Sequence, residues 1–198
     1  YLCRKTMKLY ANGCSFVFGQ ELVDNDPINK DNMHTAFPAQ LDAYNDAWSG
    51  SSNIAIANRT MDYVRTHKPD CAIIGWTTWT RSNASYESDR ADRLNQSTYK
   101  PDHHKFPYRT DDNYLQVLKQ TSINIVESLY HWLEYNSVKP VFFFSFEQFT
   151  VDVPTLWDGN NWNDAYYGAS SWSKFRTQQH PEQAQHDWMA NYLKEHVL

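Results

Sequence analysis

Apolar positions along this chain fall into two patterns. Cys71-Ala72-Ile73-Ile74-Gly75 and Val141 to Phe146 are near-continuous apolar runs that follow turns. Such runs predict strands buried on both faces of a parallel sheet. Elsewhere the apolar residues recur at helical spacing. Ile54, Ala57, Met61 and Val64 form one stripe, which predicts a helix capped by Asn53 and ending near His67-Lys68-Pro69. Leu115, Leu118, Ile123, Val126, Leu129 and Leu133 form a second stripe within Asp112 to Asn136. Ala184, Trp188, Met189, Tyr192 and Leu193 form a third, with Pro181 at the first helical position.

Weaker signals fill the rest. Lys8 to Ala11 suits a short strand, broken by Asn12-Gly13. Gln20 to Asn32 is polar, contains Pro27, and reads as a loop. Thr35 to Tyr44 fits a short helix with Pro38 in its first turn. Ala47-Trp48 ends a second strand, and Ser49-Gly50-Ser51-Ser52 is turn chemistry. The polar stretch Arg81 to Arg109 reads as an insertion or lid, and Phe149 to Ser173 as irregular and aromatic-rich. Strand and helix thus alternate four times, which predicts an α/β domain with a mostly parallel sheet and helices on both faces. Sites on such sheets lie beyond the carboxyl ends of the strands. Ser15, Gly50, the residues after Gly75 and the loop before Pro181 all fall there.

Composition narrows the function. The 198 residues suit one domain, 1–198. A net charge of −5 argues against a nucleic-acid partner, which needs a cationic surface. No apolar run is long enough for a bilayer. Tyr1 to Met7 has basic residues but no apolar region after them, so it does not read as a signal peptide. Met7 is a candidate start, with residues 1–7 an N-terminal extension. Cys3, Cys14 and Cys71 lack metal-ligand spacing and fit a reducing, cytoplasmic setting. The sequons at Asn58, Asn83 and Asn95 then read as chance matches. Aromatics reach 16%. They suit a packed core or an aromatic groove for a flat ligand such as a sugar, with Trp157, Trp162, Tyr166, Tyr167 and Trp172 in a polar stretch favouring the groove.

Ser15 follows the first strand and a glycine. There a serine can act as a nucleophile if a base takes its proton, or simply as a helix cap. Gly13-Cys14-Ser15-Phe16-Val17-Phe18-Gly19 resembles block I of the SGNH (GDSL-like) hydrolases. Ala47-Trp48-Ser49-Gly50-Ser51-Ser52-Asn53, with Ile54 and Arg59, resembles block II. Ile73-Ile74-Gly75-Trp76-Thr77, with Arg81, stands where block III belongs, and His180-Pro181 with His186, Trp188 and Ala190 resembles block V. The blocks come in the family's order and leave 82–110 and 149–175 as insertions or lid loops.

The resemblance implies a three-layer α/β/α, flavodoxin-like fold. It also implies ester hydrolysis through an acyl-serine, with no metal or organic cofactor. Ser15 would be the nucleophile and His180 the base, with oxyanion donors at Ser15, Gly50 and Thr77. Trp76, Trp162 and Trp172 are candidate substrate-binding residues. His186 reads as structural, and His103 and His104 as exposed.

Two departures stand out. The family has Asn where this chain has Thr77, and Asp where it has Thr177, three residues before His180. Asp158 and Asp164 are candidates to orient His180 instead. The leading expectation is an esterase acting on a small-molecule or carbohydrate ester, with carbohydrate O-acetyl groups one such substrate. The alternative is a catalytically degraded fold serving as a binding or structural module, for example in a viral particle or a glycan-binding assembly. A nucleotide-binding domain is disfavoured, because the first turn has neither G-x-G-x-x-G nor G-x-x-x-x-G-K.

Overall fold

The computed structural model describes residues 7–20, 22–23, 29–79, 112–145, 149–167 and 180–198. Among these residues four parallel strands form a sheet: β1 (Leu9–Gly13), β2 (Tyr44–Asn45), β3 (Cys71–Trp76) and β4 (Lys139–Phe144). Their order is β2-β1-β3-β4, the start of the flavodoxin-like 2-1-3-4-5 arrangement. Gly13 is level with Gly75, and Trp76 with Phe144. A single parallel bridge from Phe144 to Asn161 adds a rudiment beyond β4.

Seven helices are described: α1 (Ser15–Phe18), α2 (Asp31–Thr35), α3 (Phe37–Gln40), α4 (Asn53–His67), α5 (Asp112–Tyr135), α6 (Trp162–Tyr167) and α7 (Gln183–His196). Strand alternation sends successive side chains to opposite faces. Ile73, Val141 and Phe143 meet Phe16, Phe37, Trp162 and Met189 on one face. Ile74, Phe142 and Phe144 meet Ile56, Val64, Val126 and Leu129 on the other. The domain is therefore a three-layer α/β/α sandwich, as the alternating pattern predicted. No described helix is long and apolar enough to cross a membrane.

Several local expectations are corrected. The helix expected over Thr35 to Tyr44 is two short helices, because Ala36 is extended between them (φ −67°, ψ 159°). The second strand is Tyr44–Asn45 rather than a strand ending at Trp48. Ser52, not Asn53, caps α4, its hydroxyl accepting from the Ala55 N–H at 3.4 Å. Pro181 lies outside α7, where Glu182 and Gln185 form a reciprocal capping box. The aromatic segment from Phe149 carries a 3₁₀ turn (Leu156–Gly159) and α6 rather than irregular chain alone.

Glycine is needed where α1 meets the sheet. A Cβ at Gly13 would lie 2.4 Å from Val17 Cγ2, and one at Gly75 would lie 2.5 Å from the same methyl. The two bare backbones let α1 press directly onto the ends of β1 and β3.

Candidate active site

All four strands are parallel, so their carboxyl ends share one edge. Ser15 begins α1 there, two residues beyond Gly13, and is 2% exposed. As the first helical residue, its N–H has no partner within the helix. Its carbonyl accepts from Gly19 N–H (3.0 Å) and Gln20 N–H (3.1 Å), closing a tight turn. Gly19 makes that turn with φ +85°. The cap reading of Ser15 does not hold, since the cap position of α1 is Cys14.

The β2–α4 loop is tied to this turn. Asn45 Nδ2 donates to Val17 O at 3.1 Å, and Trp48 N–H donates to Gly13 O at 3.2 Å. Gly50 follows with φ +82°, in the left-handed region, and a Cβ there would meet nothing within 4 Å. Glycine is kept at this position for its backbone conformation, not for space. Among the described residues, the Gly50 N–H meets no hydrogen-bond acceptor.

Beneath the loop runs a buried polar network. Asn12 Nδ2 donates to Ile56 O and Thr60 Oγ1, each at 3.0 Å. Asn12 Oδ1 accepts from Gly13 N–H (2.7 Å) and from Arg59 Nη2 (3.1 Å). Arg59 Nη2 also donates to Ser51 Oγ at 2.8 Å. One guanidinium thus holds the end of β1 and the Gly50 turn in register.

Asn53 does similar work for β3. Its Oδ1 accepts from Thr77 N–H at 3.0 Å, and its Nδ2 donates to Thr77 O at 3.3 Å. The Thr77 peptide is clamped at both ends. Among the described residues its Oγ1 is buried without a hydrogen-bond partner, and so is Ser145 Oγ, one residue beyond β4. Ser145 N–H donates to Trp76 O at 2.8 Å, so the two hydroxyl-bearing residues are neighbours along the edge. The importance of Asn12 and Ser145 escaped the sequence reading, which had Asn53 as a helix cap and part of a motif. Its available signal was a polar residue inside or at the end of an otherwise apolar run.

His180 meets α1 from the opposite end of the chain. Its ring stands edge-on to Phe16, with centroids 5.8 Å apart, and Phe16 is the residue after Ser15. No hydrogen bond joins the Ser15 hydroxyl to the imidazole. Such contacts often tighten only with substrate bound.

Other candidates lie elsewhere. Trp76 is fully buried against Phe142 beneath α5, and Trp162 is fully buried among Phe16, Phe37, Phe143 and His186. Both are core residues rather than groove lining, because their rings are consumed by packing. Asp164 is engaged at the start of α6: its N–H donates to Asn161 Oδ1 (3.0 Å), and its Oδ2 accepts from Asn161 Nδ2 (2.7 Å). Asp158 lies in the 3₁₀ turn, and its side chain is outside the described residues. So are Trp172, Thr177, Arg81, His103, His104 and the 82–110 insertion.

His186 is structural, as expected. Its Nδ1 accepts from Phe37 N–H at 3.1 Å. Burial pushes its pKa down to about 3, opposed in part by Asp187. It is a neutral imidazole packed between Phe37 and Trp162.

No protein-family model and no curated protein sequence matches the chain. Among solved structures it is similar to TesA, with 12% identity over 94% of this chain and 96% of that one, at a TM-score of 0.49. It is also similar to a GDSL-like lipase from Bacteroides thetaiotaomicron VPI-5482, with 12% identity over 89% of this chain and 67% of that one, at a TM-score of 0.42. At such identities and scores the likeness assigns no activity. The α/β class rests on the chain's own strand order.

Proposed function

We propose that the protein is a serine hydrolase of SGNH type that cleaves a carboxylic ester through an acyl-serine. The observation that carries this reading is the place of Ser15 at the turn after β1, with the His180 ring packed edge-on against the adjacent Phe16. His180 takes the Ser15 proton as Oγ attacks the ester carbonyl, then returns it to the departing alcohol. The N–H groups of Ser15 and Gly50 receive the oxyanion, and Thr77 Oγ1 supplies a hydroxyl where the family has an amide. Water then attacks the acyl-serine with His180 again as base.

The carbohydrate version of the substrate finds support in a surface cluster. Trp157 and Tyr192 each stack with Trp188, with centroids 5.6 and 5.4 Å apart, and Tyr166 meets Trp188 edge-on. These rings are partly exposed, unlike Trp76 and Trp162, and can stack on a sugar face.

Turnover of p-nitrophenyl acetate by the parent and by Ser15→Ala tests the reading. Loss in the variant, with fluorophosphonate labelling of Ser15 in the parent, is expected. Equal rates would remove the catalytic claim. A second reading, a degraded fold acting as a binding module, is favoured by the engagement of Asp164 in its own helix start. Failure of the probe to label Ser15, together with retention on an immobilised glycan, would select it.

A further inference from the structure

The Gly50 amide is useful only if it is held at a fixed distance from Ser15. Backbone bonds from the loop reach the end of β1, but they stop at Trp48. The next residue, Ser49, donates its hydroxyl to Gln20 Oε1. Gln20 is in turn fixed by its own N–H on the Ser15 carbonyl at 3.1 Å. A short covalent and hydrogen-bonded path therefore runs from Ser15 through Gln20 to Ser49 and on to the Gly50 peptide. It crosses between two loops that are 29 residues apart in sequence. Gly19 aims it, because only a left-handed residue there turns Gln20 back over α1.

We propose that Gln20 is a positioning residue for the oxyanion site: with Ser49 it forms a strut that sets the Gly50 N–H relative to the Ser15 hydroxyl. The proposal rests on the hydrolase reading above. Gly50 itself has open space around it and no amide partner among the described residues. The strut holds it from the Ser49 side, as the Arg59–Ser51 bond holds it from the other. Misplacing a donor by about 1 Å can cost roughly a hundredfold in rate, and removing one costs roughly a hundred- to a thousandfold. Losing the strut should cost less than losing the donor, and should appear in kcat rather than KM, because the charge it helps to stabilise forms only in the transition state.

In the full chain, Gln20→Met and Ser49→Ala should each lower kcat on p-nitrophenyl acetate about tenfold, with KM within about twofold of the parent. The double variant should fall no further than the weaker single, because both changes break one contact. Ser49→Thr keeps the hydroxyl and should restore parental kcat. Melting curves identify any variant that has lost its fold, and Gln20→Met, at a half-buried site, leaves a second route if Ser49→Ala does so. Parental kcat in both singles, multiplicative losses in the double, or a raised KM at unchanged kcat would overturn the strut while leaving Ser15-dependent turnover standing. Equal turnover in the parent and Ser15→Ala would overturn the hydrolase reading and the strut with it.

Discussion

Gly75→Ala probes the contact that seats α1 on the sheet. The added methyl would lie 2.5 Å from Val17 Cγ2 and 2.7 Å from Phe143 Cζ. Carbons rest at about 3.5–4.0 Å, so the overlap is about 1 Å on two sides. Val17 and Phe143 are both fully buried, and neither can swing into solvent. Overpacking of this kind costs about 1–3 kcal/mol. For a chain of this size that is a melting temperature lower by roughly 2–12 °C. Val17 lies two residues from Ser15 on the same short helix, so relief by shifting α1 moves Ser15 too. A loss of kcat of about ten- to a hundredfold should accompany the loss of stability. Val17→Ala removes the clashing methyl. Alone it is destabilising by about 1–3 kcal/mol, from lost burial and the cavity left behind. In the double variant the new methyl occupies part of that cavity, so the double should be more stable than the sum of the singles by about 1–2 kcal/mol. Urea and thermal unfolding of the four proteins measure this. A Gly75→Ala protein with parental melting and turnover, or strictly additive singles, would refute the packing argument.

Asn53→Ala should cost about 2 kcal/mol, because it unpairs both ends of the buried Thr77 peptide; urea titration reads the loss, and kcat should fall with it. His186 gives a pH signature. Its folded pKa of about 3 lies below its ordinary value of 6.5, so the unfolded chain binds the extra proton between those values. Stability from this group is complete above pH 6.5 and is lost as pH falls toward 3, by a few kcal/mol. His186→Asn keeps an acceptor for the Phe37 N–H and should flatten that part of the stability curve. Cys71 is buried, and desolvation pushes its thiol up to about 11. It should resist iodoacetamide at pH 8 in the folded protein and react once urea unfolds it.

The sheet was legible in the sequence because Cys71–Trp76 and Val141–Phe144 are buried on both faces and cannot afford polar residues. The edge strand was misplaced because Tyr44–Asn45 spans two residues, too few for alternation to register. Lys139–Pro140 belong to β4 although proline donates nothing, which a strand tolerates where, among the described residues, only one side carries a full ladder. Ser15, Gly50 and His180 could be put forward from the sequence because turn glycines and the order of short motifs survive as local patterns. The network of Asn12, Ser51 and Arg59 could not be found in full. Its members are up to 47 residues apart, and only the fold brings them together. The aromatic reading divided for the same reason. Trp162 and Trp157 are five positions apart, yet one is fully buried and the other packs on the partly exposed face of α7.

The carboxyl edge contains two classes of polar group, and the difference tests what the edge is for. Asn12, Ser51, Asn53 and Arg59 bond to one another or to backbone, and hold the ends of β1 and β3 and the Gly50 turn in place. Thr77 Oγ1 and Ser145 Oγ are equally buried but have no partner among the described residues. An unsatisfied buried hydroxyl costs about 1–3 kcal/mol, and a scaffold that only needed to pack would do better with methyl groups. Thr77→Val exchanges that hydroxyl for a methyl of nearly the same volume. Stability should rise by about 1 kcal/mol, since the orphan is removed without a cavity. Turnover should fall if the hydroxyl stabilises the oxyanion, by at most the roughly hundred- to thousandfold seen for single donors. The two readouts separate the possibilities. A gain in stability with unchanged kcat would remove Thr77 from the oxyanion site. A loss of stability would mean that the hydroxyl has a structural partner after all. Only a more stable and slower protein fits a hydroxyl held in reserve for the transition state.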